Sequence, residues 1–289
     1  MKSLSVPKLL TRPLSNDASD DHPIPLVIWH GLGDSYDGEG IKQIGELAEE
    51  INPGTFVYTV KVGTDPNSDR SATFFGNVTT QLEQFLRGYV ERCNNPPVRS
   101  LVTYGSQHNG IVEFKACGDG DLLCKGAMAL LRFNTWSGFV QNRLVPAQYY
   151  RDPKPDQYEK YLESSNFLAD INNERELKNV RYKKNLASLT NFVMVLFEDD
   201  TTVIPKETAW FEEVNGTESL PLRARAIYKE DWIGLRELDR KGGLRFRQIP
   251  GDHMELSQKN LNKTIEEFFG PYKKHFEAEA KPNFLSDEL

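Results

Sequence analysis

The stretch PLVIWHGLGDS, Pro25 to Ser35, decides how the chain is read. Pro25 to Trp29 is a short apolar run, the pattern of a buried strand in a mostly parallel sheet. It runs into His30-Gly31-Leu32-Gly33-Asp34, a tight glycine turn. Glycines at the carboxyl end of a strand let the backbone bend until an N–H points into open space. Such a turn serves an ordinary strand-to-loop connection, and it also serves a site that must hold a developing negative charge.

The 289 residues and an apolar content of 38% suffice for one large α/β domain or two smaller ones. A net charge of −7 argues against a nucleic-acid or anionic-membrane surface. No apolar run approaches the ~20 residues of a membrane span. Met1 to His22 lacks the apolar core of a signal peptide and reads as a disordered leader, and 271–289 reads as a charged tail. Indications of compartment conflict. Asn77, Asn215 and Asn262 each open an N-x-[ST] site, which favours the secretory pathway. Ser286-Asp287-Glu288-Leu289 is like an ER-retention tail without its basic first residue. Of three cysteines, Cys117 and Cys124 flank the turn-rich Gly118 to Asp121, a good setting for a local disulfide, and Cys93 is left over. Three reduced thiols in a cytosolic protein is the other reading. No Cys/His spacing fits a zinc site.

The remaining chain alternates strand and helix signals at both ends. Apolar residues at helical spacing predict a helix over Gly40 to Ile51, and TFVYTVKV, Thr55 to Val62, predicts a strand. One continuous helical phase runs from Phe75 to Cys93, stopped by Pro96 and Pro97. Leu101 to Tyr104, Asn191 to Phe197 and Leu244 to Ile249 read as further strands, and Leu256 to Phe269 holds a closing helix capped by Gly270. Residues 111–190 lack that alternation and are rich in aromatics, the pattern of a helical insertion that caps a site on a rigid scaffold.

Two groups at strand ends carry chemistry. The acidic loop Glu198-Asp199-Asp200 follows one late strand, and His253 follows the last. Sheet enzymes gather side chains at carboxyl strand ends. An orienting acid followed in the chain by a histidine base is the α/β-hydrolase order, in which a nucleophilic serine precedes both. Sequence alone leaves Asp199 and Asp200 in competition. The serine is what the chain lacks. It belongs on a sharp G-x-S-x-G turn between a strand and a helix, and Ser68, Ser71 and Ser100 in that window have no flanking glycines. Ser106 stands between bulky Tyr104 and His108, and Ser35 in Gly33-Asp34-Ser35 lacks the Asp that its motif wants at position 250, which is Pro.

From Pro25 to Gly270 the chain resembles the lysosomal palmitoyl-protein thioesterase family. The matching stretches are WHGLGDS (29–35), FLRGYVERC (85–93), GSQHNG (105–110), RLVPAQYYRDP (143–153), NFLADIN (166–172), YKKNLASLTNFVMVLFEDDTTV (182–203) and GDHMELS (251–257). The resemblance implies an α/β-hydrolase domain over 23–270, a mostly parallel sheet with the 111–190 cap. It implies removal of long-chain fatty acyl groups from cysteine thioesters of S-palmitoylated proteins, with no metal or cofactor. By position it puts the catalytic acid on Asp200, the catalytic base on His253, the first oxyanion N–H on Leu32 and the local disulfide on Cys117 and Cys124. It also implies a lysosomal or secretory location.

One departure stands out. Where the family has a strand and a G-x-S-x-G elbow, Gln81-Leu82-Glu83-Gln84 runs straight into Phe85. The nucleophile, the second oxyanion N–H and the partner of Cys93 all fall in that gap. A splice variant or gene-model error explains this, as does an evolved inactive homologue. The expectation is a fold lacking its elbow strand and a chain with little or no turnover. A non-catalytic acyl-lipid or protein binder is the alternative, and a chain whose sheet fails to close is a third.

Overall fold

A computed structural model describes residues 21–78, 86–114 and 117–276; the leader to residue 20, the tail from 277 and residues 79–85 lie outside them. Five strands form two parallel sheets: β1 (Leu26–Ile28) and β2 (Val57–Thr59) in one, and β3 (Ser100–Tyr104), β4 (Asn191–Phe197) and β5 (Leu244–Ile249) in the other. Every residue of β4 is buried, as its unbroken apolar run requires of a strand covered on both faces. β3 and β5 flank it, giving the order β3-β4-β5. β1 pairs with β2, Val27 opposite Tyr58, in a sheet of two.

One helical layer joins the two sheets. Helix α1 (Glu39–Ile51) and the closing helix α5 (Gln258–Phe268) bury Leu26, Ile28, Ile41, Leu47 and Ile265 together on β1. Phe268 of α5 also packs with Val193, Val195, Phe197 and Ile249, and Val102 and Tyr104 of β3 lean on the same cluster. Below the strands, Ile24 N–H donates to Gly270 O, and the Arg99 guanidinium donates to the carbonyls of Pro271 and Tyr272. The segment after α5 therefore runs from the foot of β1 to the foot of β3. On the opposite face of β3-β4-β5, helices α3 (Leu86–Arg92) and α4 (Val180–Ala187) bury Val90, Leu186, Leu101 and Phe192 in the largest core cluster.

The helix expected over 75–93 is corrected. Helix α2 (Pro66–Phe74) ends before it, and α3 begins at Leu86. Tertiary bonds take the intervening backbone out of helical geometry. Phe75 bridges to Leu144, Gly76 N–H donates to Arg143 O, and Val78 N–H donates to Gln148 Oε1. Val78 itself is buried among Val145, Tyr161 and Leu168 of the insertion. Residues 79–85 of the expected helix lie outside the described residues. The strand expected over 55–62 is also shorter, Val57–Thr59, because Val62 and Gly63 turn away to donate their N–H groups to Asp69.

The insertion is helical, with helices at Leu122–Asn134, Pro155–Ser164 and shorter turns between. Its centre is a buried charge network. Arg151 contacts Glu174 Oε2 at 3.0 Å and Glu213 Oε2 at 2.7 Å. The hydroxyls of Tyr158 and Tyr161 and the amide of Asn172 donate to Glu174 as well. Burial works against the Glu174 carboxylate, but Arg151, Arg225 and the Asn172 bond outweigh it and hold its pKa below the usual range.

Helix α3 carries a second buried pair. Arg87 Nε donates to Glu91 Oε1 at 2.7 Å, while Glu91 Oε2 is buried without a hydrogen-bond partner. Burial pushes the Glu91 carboxyl up to about 7, with Arg87 and Arg92 opposing and Asp170 adding to the rise. A folded-state pKa above the unfolded one means the native chain holds its proton longer. The stability this gives is present in acid and is lost as pH rises through about 7, a loss of about 3 kcal/mol at most. Thermal melts at pH 5 and pH 8 are expected to show the higher Tm in acid, and Glu91→Gln is expected to flatten that difference. An unchanged difference in the variant contradicts the assignment.

Candidate active site

Two strand-end loops bring Asp200 and His253 together. After β4 the chain turns through Glu198 to Asp200, and after β5 through Gly251 to His253. Asp252 ties the loops by accepting from the N–H and hydroxyl of Thr201, and Asp199 N–H donates to Gly251 O. His253 Nδ1 lies 2.8 Å from Asp200 Oδ2. The Asp200 side chain is 1% exposed, and the His253 side chain 23%. Asp199 is exposed, so the structure separates two residues that sequence alone left equal.

Burial disfavours the Asp200 carboxylate. Bonds from His253 and from the N–H groups of Val203 and Thr202 prevail, and its pKa falls below the ordinary value. A carboxylate on Nδ1 fixes the tautomer with the proton on that nitrogen and leaves the Nε2 lone pair as the base. Among the described residues no hydroxyl bonds Nε2 of His253. Ser68 closes the capping box of α2 instead, and Ser100 bonds Asn191 in the sheet.

Gly105, the first residue after β3, makes the seat for this imidazole. Its φ is +51°, and a Cβ there would stand 2.8 Å from the His253 ring and 3.1 Å from Asp200 Oδ2. His108, three residues on, faces the interior. It is 4% exposed, stacks on Phe211 and bonds Thr103 Oγ1 through Nε2. Burial, with Arg87 beside it, holds its pKa well below the usual value, so it packs as a neutral ring.

The glycine turn after β1 is fastened from behind. His30 Nε2 lies 2.7 Å from Asp69 Oδ2, with both side chains fully buried. Asp69 also accepts the N–H groups of Tyr36, Val62 and Gly63. Gly63 has no alternative, since a Cβ there would come within 2.2 Å of the Asp69 backbone nitrogen. Thr73 accepts Gly33 N–H, and Arg70 donates to Gly33 O. Leu32 N–H, by contrast, makes no hydrogen bond among the described residues. Thr73 and Arg70 thus hold Gly33, the last glycine of the turn, on both its N–H and its carbonyl. Asp69 and Thr73 were not legible as site supports, although Asp65-Pro66 with Ser68 is a readable helix start that places both on one helix.

Cys117 and Cys124 form a disulfide, and Cys93 is free and exposed. Asn215 is exposed at the turn of a short hairpin, whereas Asn77 donates to Asn142 Oδ1 and Asn262 holds a buried Oδ1. Among the described residues no group of three His, Cys, Asp or Glu is placed to hold a metal ion, and no helix is long and apolar enough to cross a membrane.

Comparison with known proteins gives a consistent result. A family description, palmitoyl protein thioesterase, matches residues 25–85 and 83–253, two segments that overlap at 83–85. Palmitoyl-protein thioesterase 1 of Caenorhabditis elegans is 34% identical, over 85% of this chain and 92% of the relative. A palmitoyl-protein thioesterase-dolichyl pyrophosphate phosphatase fusion of Schizosaccharomyces pombe is 30% identical over 99% of this chain and 51% of its own length. That alignment is 322 positions long, more than the 289 residues of the chain, so the relative carries residues with no counterpart here. Lysosomal thioesterase PPT2 of Bos taurus is 25% identical over 76% of this chain.

Proposed function

We propose, from the premise that the chain belongs to the palmitoyl protein thioesterase family, that it holds the acid, the base and one oxyanion donor of a long-chain acyl thioesterase without the attacking atom. The observation that carries this reading is the Asp200–His253 contact at 2.8 Å with no hydroxyl on Nε2 among the described residues. Asp200 orients the imidazole and would stabilise it once protonated. His253 Nε2 is the base. Leu32 N–H would donate to the thioester oxygen as it becomes negative.

In a complete site, Nε2 takes a proton from the nucleophile as it attacks the thioester carbonyl. The carbon–sulfur bond breaks, the thiol leaves with that proton, and the same nitrogen then activates water against the acyl-enzyme. Without the nucleophile only direct activation of water by His253 is left. Protease templates missing a triad member keep ~10³–10⁴ over water. The substrates in this reading are S-palmitoylated proteins, and the compartment is lysosomal or secretory, in keeping with the disulfide and with Asn215 as the sequon best presented for a glycan.

The test is release of free thiol from palmitoyl-coenzyme A by the purified chain, beside the C. elegans relative as a positive control. Turnover no more than ~10³–10⁴ above the uncatalysed rate, lowered further by His253→Ala, is expected. Turnover comparable with the relative's overturns the reading.

A further inference from the structure

The insertion helix Leu122–Asn134 is apolar on two sides. Its inner side buries Ala127 and Leu131 against Phe74, Val140, Leu144 and Ala147. The opposite side of a helix on the outside of a folded domain is ordinarily polar. Here that side holds Leu122, Gly126, Ala129 and Leu130, all exposed, with Leu122 81% exposed. Their spacing of four, seven and eight residues sets them on one stripe. Beside the helix, the short turn of helix Gly138–Gln141 sends Val140 into the inner cluster and leaves Phe139 57% exposed.

The charge of this stretch has one sign. The chain has 42 acidic residues and a net charge of −7, yet no Asp or Glu falls between Leu122 and Arg151, where Lys125, Arg132, Arg143 and Arg151 do. Lys125 is exposed alongside the apolar stripe. Arg143 is also exposed, with its guanidinium 4.4 Å from the centre of the Phe139 ring. Of the two acids just before the helix, Asp121 is tied to Arg70 at 2.9 Å and accepts Cys124 N–H, and Asp119 lies on the disulfide loop. The negative charge that argues against an anionic-membrane surface for the whole chain is therefore carried elsewhere in the sequence.

We propose that the outer face of Leu122–Asn134, together with Phe139, is an interfacial surface that lies on an anionic lipid bilayer. Leu122, Leu130 and Phe139 would enter the boundary between headgroups and acyl chains, and Lys125 and Arg143 would meet the phosphates around them. A bilayer takes protruding aliphatic side chains without a matching pocket and presents negative charge at the same depth as the two cations. A second copy of the chain set face to face would bring Lys125 and Arg143 against cations, with no acid in this stretch to pair them. The inference goes beyond the reading above and does not rest on it, since docking needs neither nucleophile nor turnover.

The test is co-sedimentation of the intact chain with vesicles of phosphatidylcholine containing phosphatidylserine, beside vesicles of phosphatidylcholine alone. Binding about tenfold tighter to the anionic vesicles is expected, weakening as salt is raised. Leu122→Glu and Lys125→Glu are each expected to weaken it by about tenfold. Both positions are exposed, so an unchanged Tm is expected in each and separates lost docking from lost fold. Leu177→Glu, at an apolar residue 91% exposed elsewhere on the chain, is expected to bind as the parent does. Sedimentation reads docking and not hydrolysis, so its failure leaves the reading of Asp200 and His253 standing. No binding, equal binding to neutral vesicles, binding that survives both variants, or an equal loss in Leu177→Glu overturns the proposal. So does a dimer that Leu122→Glu dissolves while no vesicle binds, or capture by soluble polyglutamate in place of vesicles.

Discussion

A chimera carrying the missing stretch of the C. elegans relative, spliced in cis between Val78 and Phe85, is expected to hydrolyse palmitoyl thioesters at least ~10⁴-fold faster than the chain itself. The scale is that of losing the nucleophile of a protease triad, about 2 × 10⁶ in kcat, discounted for imperfect seating. The gain follows from parts already in place. Asp200 is ionised and bonded to Nδ1 of His253, and the first glycine turn is held by Thr73 and Arg70. On the proposed reading, only the attacking oxygen and one N–H have to be added. Replacing the introduced serine by alanine is expected to return the rate to that of the parent, as is His253→Ala. Turnover that persists in either variant means the rate came from elsewhere.

Arg151→Met is expected to cost about 3–5 kcal/mol, the range for breaking a buried ion pair, and to lower the Tm by roughly 10 °C. Arg151 is nearly fully buried and serves two carboxylates, Glu174 from the insertion and Glu213 from the segment after β4. Methionine fills the volume but leaves Glu174 charged and enclosed, hydrogen-bonded only by hydroxyls and an amide, with the charge of Arg225 beyond them. A double variant, Arg151→Met with Glu174→Gln, is expected to recover part of the loss because no uncompensated charge is left buried. Differential scanning calorimetry of the three chains decides it. A single variant within about 0.5 kcal/mol of the parent, as for an ordinary surface substitution, contradicts the role given to Arg151.

The parts legible in the sequence are those with a strong local pattern. NFVMVLF has the unbroken apolar run of a doubly covered strand, and β4 spans those same residues. The glycine turn after Trp29, the acid loop after β4 and the histidine after β5 all sit at carboxyl strand ends, where sheet enzymes gather side chains. What was not legible depended on partners distant in the chain. The periodicity of 75–93 is genuine, but Val78 is claimed by Tyr161 and Leu168 across the insertion, and no local pattern announces that. The support of His30 comes from Asp69, 39 positions further along; the only local sign was the helix start at Asp65. Arg151, Glu174 and Glu213 are charged residues that a composition-based reading puts in solvent, and their burial rests on mutual pairing.

The central claim is that the base of this site has no activated hydroxyl to serve. A fluorophosphonate, which attaches covalently to a serine that an imidazole has activated, followed by intact-mass spectrometry of the chain, tests it most directly. The account predicts an unmodified mass under conditions that label the C. elegans relative to one adduct per molecule. A single adduct on this chain, lost in His253→Ala, contradicts it.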